Sequence, residues 1–432
     1  MGNKTVAFLW DESFLWGLMA YKALKANGLP FELVRSDDIK NGKLKDYRML
    51  FVPGGWASNK MKTLGEKGIS EIKKFVNSGG NYLGFCGGAG FATLDGIGLL
   101  NIKRIPTKQR VPSFSGKICL NINEHHIWKR IGKHSHEVTD SPIHPFTHSP
   151  IFHAWWPSQF LINDKSIKIL ATYGNALPDS FSSDLNVGDV EANGGWSEME
   201  EIYKINLNPT RLKNEPAVVE GSSGKGKMIL SLIHFDTIDD ANGAIVLSNL
   251  WEYLSGQKSE ETPKLNSSLH HSIIPSILAD LESEVDELIS LGIRNFLWFW
   301  KNPMLLQWRR GVRGLEYCTL YVMIKEIAEI LKKQQSAVSS QLDLEKIKEL
   351  LIMFTEKAKQ LLILERYAMQ NGHITPLSPP LSRGGWGGEN IPEIHEMRTE
   401  LFGNSKSHGG LFKKLIDEVD NVLYALIKNK EA

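Results

Sequence analysis

Residues 82–91 read Tyr82-Leu83-Gly84-Phe85-Cys86-Gly87-Gly88-Ala89-Gly90-Phe91. The run opening at Asn81 is apolar, a cysteine then stands between Gly84 and Gly88, and small residues able to start a helix follow. A G-x-C-x-G pattern at a strand end spells a sharp strand-to-helix turn with a nucleophile at its tip. Glycines are required there because the turn is strained and neighbouring backbone passes close by. A thiol so placed meets the positive end of a helix dipole, which favours its ionised form. The competing reading is a buried structural cysteine in a Gly-rich turn.

The flanking sequence supplies the sheet that such a turn needs. Thr5–Trp10 is a continuous apolar run, the mark of a strand buried on both faces. Asp11 and Ser13 can cap the helix after it, which Asn27-Gly28-Leu29-Pro30 ends. Phe31–Val34 and Arg48–Val52 read as further strands, the latter running into Pro53-Gly54-Gly55-Trp56. Gly68–Asn77 is an amphipathic helix closed by Ser78-Gly79-Gly80. Strands alternating with helices predict a parallel sheet, whose chemistry sits at the strands' carboxyl ends. Both Gly54-Gly55 and Cys86 fall at such ends.

Residues 104–214 lack helical periodicity; Lys117–Ile122, Ile167–Tyr173 and Glu215–Glu220 read as strands within them. Lys227–His234 is a buried strand leading to His234-Phe235-Asp236, and Asp239–Ser255 a helix. Gly221-Ser-Ser-Gly-Lys-Gly226-Lys227 spells a phosphate-loop pattern, but Met228 replaces the required hydroxyl residue and a strand follows, so a hairpin turn is expected. The first domain is placed at 1–256, a polar linker with Pro263 at 257–270, and a second domain at 271–432. In the second, helices are expected over Ile274–Ser290, Pro303–Gln335, Asp343–Met369, Glu393–Leu401 and Gly410–Lys428, a small bundle. The Pro/Gly/Ser stretch 375–390 reads as a mobile loop, and the Trp298, Phe299, Trp300 and Trp308 cluster as core.

Composition narrows the function. With 50 Lys+Arg against 49 Asp+Glu the chain is nearly neutral, so no nucleic-acid or membrane partner is expected. Cys86, Cys119 and Cys318 are far apart, without a C-x-x-C pair, which fits a reducing cytoplasm and no disulfide framework. Met1–Trp10 is too short for a signal-peptide core, and Phe296–Leu306 is interrupted by Lys301, Asn302 and Pro303. His125, His126, His134, His136, His144, His148 and His153 crowd one region, but no H-E-x-x-H, carboxylate triad or cysteine accompanies them. They are read as scattered surface or pocket histidines, with no metal and no cofactor.

A cysteine nucleophile needs a base, a group that orients the base, and oxyanion donors. His234 fits the first need and Asp236 the second. Backbone N–H groups of Gly55, Trp56 and Gly87 fit the third. Gly54, His153, Trp155 and Trp156 are candidates for the pocket wall, the two indoles reading equally well as core.

The order Pro53-Gly54-Gly55, Gly84-Phe85-Cys86-Gly87-Gly88, His234-Phe235-Asp236 resembles the class I glutamine amidotransferase-like superfamily. Its branch shared with the N-terminal domain of biotin–protein ligases is nearest, because Pro216–His234 repeats that branch's strand–turn–strand before the histidine. The resemblance covers roughly Thr5–Ser255. It implies an α/β, flavodoxin-like doubly wound parallel sheet with a nucleophile elbow, here followed by an all-α bundle. It also implies Cys86 as nucleophile, His234 as base, Asp236 as orienter, and Gly55 with Gly87 as oxyanion donors. Two departures stand out. Glutamine-hydrolysing members carry a bulky pair and a glutamine after the elbow glycine, where this chain has Ala89-Gly90-Phe91; the acid beyond the histidine, usually Glu, is the shorter Asp236. Neither an ammonia-accepting domain nor a biotin-ligase catalytic domain is visible along the chain.

The expected function is a cysteine hydrolase or amidotransferase acting on an amide-type C–N bond of a small-molecule or peptide-like substrate. The alternatives are a non-catalytic binding or scaffold protein whose helical domain recruits a protein partner, and a redox-sensing thiol protein.

Overall fold

The computed structural model describes residues 6–131, 149–258, 276–333, 343–371, 392–404 and 408–431. His134, His136, His144, His148, the loop expected at 375–390 and nearly all of the expected linker lie outside the described residues. The chain divides into two compact units, Met1–Glu200 with Ile205–Pro263 and Glu201–Lys204 with Lys264–Ala432.

The chain opens with β1 (Val6–Leu9), α1 (Phe14–Ala26), β2 (Glu32–Val34), α2 (Ser36–Lys40), β3 (Met49–Val52), α3 (Ala57–Asn77), β4 (Asn81–Phe85) and α4 (Gly87–Ala92). It continues through β5 (Ile102–Arg104), β6 (Phe114–Ile122), β7 (Ile151–Trp155), β8 (Phe160–Ile162) and β9 (Lys168–Ala176). Then come β10 (Phe181–Ser182), β11 (Leu185–Asn186), α5 (Val187–Asn193), α6 (Trp196–Tyr203), β12 (Pro216–Ser223), β13 (Gly226–Ser231) and α7 (Ala241–Ser255).

One mixed sheet runs β11-β10-β6-β9-β12-β13-β4-β3-β1-β2, with β7 added on β6. From β2 to β13 the neighbours are parallel; from β13 outward they are antiparallel. The parallel half is the flavodoxin-like part. Its strands read as unbroken apolar runs because they are buried on both faces, and β1 and β3 are buried at every residue. Phe51 on β3 is ringed by Phe8, Phe85 and Trp251 at centroid distances of 5.2, 5.2 and 5.4 Å, which ties β1, β4 and α7 to one core. The antiparallel half is built by the aperiodic middle of the chain. The Gly221–Lys227 stretch is the β12–β13 hairpin, paired through Ser223 and Gly226.

Two local details differ from the sequence reading. Helix α3 starts at Ala57, not Gly68, and is interrupted at Gly65 (φ 59°, ψ −176°), a backbone region open essentially to glycine. Ser13 precedes α1 without capping it, because its hydroxyl is taken by the Lys60 ammonium.

In the second unit α8 (Ser276–Arg294) leads into the hairpin β14 (Trp298–Asn302) and β15 (Leu305–Trp308). The helices α9 (Gly314–Lys333), α10 (Leu344–Gln370), α11 (Pro392–Phe402) and α12 (Gly410–Glu431) follow. The hairpin corrects the helix expected from Pro303. Asn302 accepts the Met304 N–H at 2.8 Å, an Asx turn in which Pro303 is a corner and not a helix start. Trp298 and Trp308 pair across the ladder. A Cβ on Gly292 would lie 2.1 Å from the Trp298 ring and one on Gly314 2.4 Å from that of Trp308, so these glycines make room for the indoles. Trp298 is core, as expected; Phe299 is half exposed.

Candidate functional site

Four neighbouring parallel strands bring their carboxyl ends together, and each contributes one piece. β4 delivers Cys86, β3 delivers Gly54 and Gly55, β13 leads to His234 and Asp236, and β1 leads to Trp16. This is where a parallel sheet collects its chemistry.

Cys86 has φ 48° and ψ −106°, a strained conformation for a residue with a side chain. The surroundings hold it there. Its N–H donates to the Ser231 carbonyl at 2.8 Å, and its carbonyl accepts the Gly90 N–H at 2.9 Å. A Cβ on Gly87 would lie 1.7 Å from the Gly55 carbonyl oxygen, and one on Gly88 1.9 Å from that of Val52. Glycine is therefore demanded on both positions after Cys86, so that elbow and Pro-Gly-Gly loop pack backbone against backbone. Gly55 itself has φ 108°. Among the described residues neither its N–H nor that of Gly87 meets an acceptor.

His234 lies three residues beyond the end of β13 and is completely buried, as is Asp236. Nδ1 of the imidazole is 2.9 Å from Oδ1 of Asp236. Nε2 is buried without a hydrogen bond of ordinary geometry, and the Cys86 sulfur is within electrostatic reach of the imidazole. Burial works against a charged imidazole here. The Asp236 carboxylate, hydrogen-bonded to it, and the Cys86 sulfur outweigh burial and lift His234 from 6.5 to about 10. Oδ2 of Asp236 is a second buried polar atom without a partner. Each buried polar atom left without a partner calls for an explanation, and a catalytic role is one.

The pocket candidates separate by role. His153 bonds through Nδ1 to Asp240 Oδ2 at 2.7 Å, and its carbonyl accepts the His234 N–H at 2.9 Å. Trp155 is core: it stacks on His153 and donates from Nε1 to Thr237 Oγ1 at 2.9 Å. Thr237 in turn donates to the His234 carbonyl. His153 and Trp155 thus brace the backbone of the histidine. Trp156, with φ 48°, faces Trp16 edge-on at 6.0 Å. Trp16 lies 4.8 Å from the His234 ring, centroid to centroid. Trp16 is a site residue that the sequence reading missed, since a helical tryptophan carries no signal beyond core.

Lys60 was missed as well. It is buried, donates to the Asp11 carbonyl at 3.1 Å and to Ser13 Oγ, and its ammonium is 3.5 Å from where a Gly55 Cβ would stand. A cation is thus fixed beside the loop whose amides are the candidate oxyanion donors. Two arginines also reach this end of the sheet. Nη1 of Arg104 lies 2.9 Å from the position of a Gly90 Cβ. Arg110 is pushed below the usual arginine range by burial and by Arg104, and Cys86 pulls it back.

Residues 39–95, which hold Pro53-Gly54-Gly55 and the elbow, match the sequence model of the family described as Biotin-protein ligase, N terminal. The matched residues lie entirely within the first unit and run from α2 through α4 to the turn after it. A structure of PurLQS from Thermotoga maritima aligns with 58% of this chain and 99% of that chain, at 17% identity and a TM-score of 0.35. A glutamine amidotransferase aligns with 58% and 99%, at 19% identity and a TM-score of 0.36. A GMP synthase subunit protein from Thermoplasma acidophilum aligns with 59% and 96%, at 10% identity and a TM-score of 0.37. No curated protein matches the chain. Among the described residues, neither unit holds a group of three or more His, Cys, Asp or Glu arranged for a metal ion, or a helix long and apolar enough to cross a membrane.

Proposed function

We propose that the first unit is a class I glutamine amidotransferase-like domain and works as a cysteine-dependent hydrolase or amidotransferase that cleaves an amide-type C–N bond of a small-molecule or peptide-like substrate. The observation that carries this reading is the fully buried His234–Asp236 pair, 2.9 Å apart and coupled to a cysteine held at positive φ.

With Nδ1–H donated to Asp236, Nε2 is the nitrogen that takes the thiol proton. The Cys86 sulfur attacks the amide carbonyl carbon, and the C–O π electrons move onto the oxygen. The Gly55 and Gly87 amides, with Trp56 beside them, receive that oxyanion; the Lys60 ammonium adds positive potential behind the loop. Collapse of the tetrahedral intermediate breaks the C–N bond, His234 gives its proton to the departing amine, and a thioester on Cys86 remains. Water or an acceptor amine, deprotonated by His234, then attacks the thioester, releases the product and restores the thiol. Asp236 keeps the imidazole in the required tautomer throughout.

The test is a screen of primary and secondary amides for amine release, read together with intact-mass detection of a thioester on Cys86. Activity that survives Cys86→Ala sinks the reading; activity abolished by Cys86→Ala and by His234→Ala, with the adduct seen only in the wild type, supports it.

A further inference from the structure

The family's glutamine position after the elbow is Gly90 in this chain, and the space is not empty. A side chain there would meet Arg104, whose Nη1, Cζ and Cδ lie 2.9, 3.4 and 3.5 Å from the Cβ position. An arginine from β5 therefore fills the volume over the first turn after Cys86. Arg110 is tied to the same place, because its Nη1 donates to Ser158 while Ile105, next to Arg104, donates its N–H to the adjoining Gln159 carbonyl, and the Cys86 sulfur is within its electrostatic range. Arg110 donates only to hydroxyls, Nη1 to Ser158 and Nη2 to Thr107, and its Nε is buried without a hydrogen bond. No carboxylate of the described residues forms an ion pair with it. Arg104 Nε is likewise buried and unbonded, with Asp95 Oδ2 at 3.7 Å as its one acidic neighbour among the described residues. Among the described residues, the two guanidinium groups thus have one ion-pairing carboxylate between them, the partly exposed Asp95, and it pairs with Arg104 alone. Partly buried cations without a counter-charge are costly, and a planar fork of N–H donors matches a carboxylate in two parallel hydrogen bonds.

We propose that Arg104 and Arg110 form a carboxylate-binding subsite next to Cys86, so that the amide this site accepts carries an acidic group. The inference rests on Cys86 as the nucleophile for the word substrate; the anion subsite itself is testable apart from it.

The test compares alkylation of Cys86 by iodoacetate and by iodoacetamide, reagents of nearly equal size that differ by a carboxylate, followed by peptide mass spectrometry. The ratio of the two rates cancels any change in the ionised fraction of the thiol. In the wild type the ratio exceeds that of glutathione in the same buffer. It falls about tenfold in Arg110→Gln, the loss of one charge-assisted hydrogen bond. It falls in Arg104→Gln too, and Arg110→Lys, which keeps the charge without the fork, lies between. A wild-type ratio no higher than that of glutathione, or one unmoved by Arg110→Gln, overturns the subsite. A second arm needs no variant: glutarate slows the iodoacetamide reaction of the wild type, and glutaramide at the same concentration does not. Equal protection by both compounds, or by neither, also overturns it. An iodoacetamide rate indifferent to His234→Ala fails the nucleophile reading instead, and the glutarate arm still decides the subsite.

Discussion

Replacing Asp236 by Asn removes one charge and leaves the shape of the side chain, so it isolates what the carboxylate does for His234. The two groups are 2.9 Å apart and fully buried. At an effective dielectric constant of about 20, unit charges at that separation attract by about 6 kcal/mol, equivalent to about four pH units in the imidazole's titration. That size is what lifting the imidazole from 6.5 to about 10 against burial requires. Without the carboxylate, burial dominates, and the Asp236→Asn variant holds a neutral imidazole at a pH of about 7.5. The imidazolium's contribution to stability is fully present below about pH 6.5 and is lost as pH rises through about 10. Wild-type stability therefore declines across that window through this group, and Asp236→Asn abolishes that decline. The assay is an NMR titration of the His234 Cε1–H resonance from about pH 5.5 to about 10.5, bracketing both the ordinary and the raised value, paired with urea melts at each pH. A wild-type midpoint near 6.5, or a midpoint unmoved by Asp236→Asn, refutes the reasoning.

Gly87→Ala places a methyl 1.7 Å from the Gly55 carbonyl oxygen, so the elbow and the Pro-Gly-Gly loop must part. A loss of about 3 kcal/mol or more in denaturant melts is expected, with Cys86 no longer responding to His234. Cys86→Gly relieves the positive-φ strain that Cys86→Ser keeps, so the glycine variant should be the more stable of the two by about 1 kcal/mol in the same melts. Trp16→Ala empties the wall against His234 and Gly54; about 3 kcal/mol of stability is lost, and the alkylation rate of Cys86 falls with it. In the second unit, Gly292→Ala collides with the Trp298 ring and lowers the melting temperature without changing Cys86 alkylation.

The parallel half of the sheet was readable because its strands are unbroken apolar runs and its sharp turns demand glycine. The φ of Cys86 and the contacts of Gly87 and Gly88 are the physical content of that signal. The H-x-D spacing was readable for a similar reason, since two residues on, a carboxylate can fold back onto an imidazole. The antiparallel extension was harder. β7 is five residues long and β8 three, and their partners lie far along the chain, so no local period announces them. The β14–β15 hairpin was hidden by Pro303, which starts helices and corners turns alike; only the Asn302 side chain decides between them. Lys60, Arg104 and Arg110 were missed because an isolated lysine or arginine reads as a solvated charge, and Trp16 because a tryptophan in a helix reads as core. What marks them is tertiary: burial of Lys60 against the β1 loop, the vacant Gly90 position that admits Arg104, and the face that Trp16 turns to His234.

The claim on which the account turns is that Cys86 and His234 act as one unit. The most direct measurement is the rate of Cys86 alkylation by iodoacetamide from about pH 5 to about 10, in the wild type and in His234→Ala. An ordinary thiol reacts appreciably only as pH approaches about 8.5. The account predicts that the wild type still reacts at about pH 6, well below that range, and that His234→Ala does not. A wild-type profile that superimposes on that of His234→Ala would contradict it.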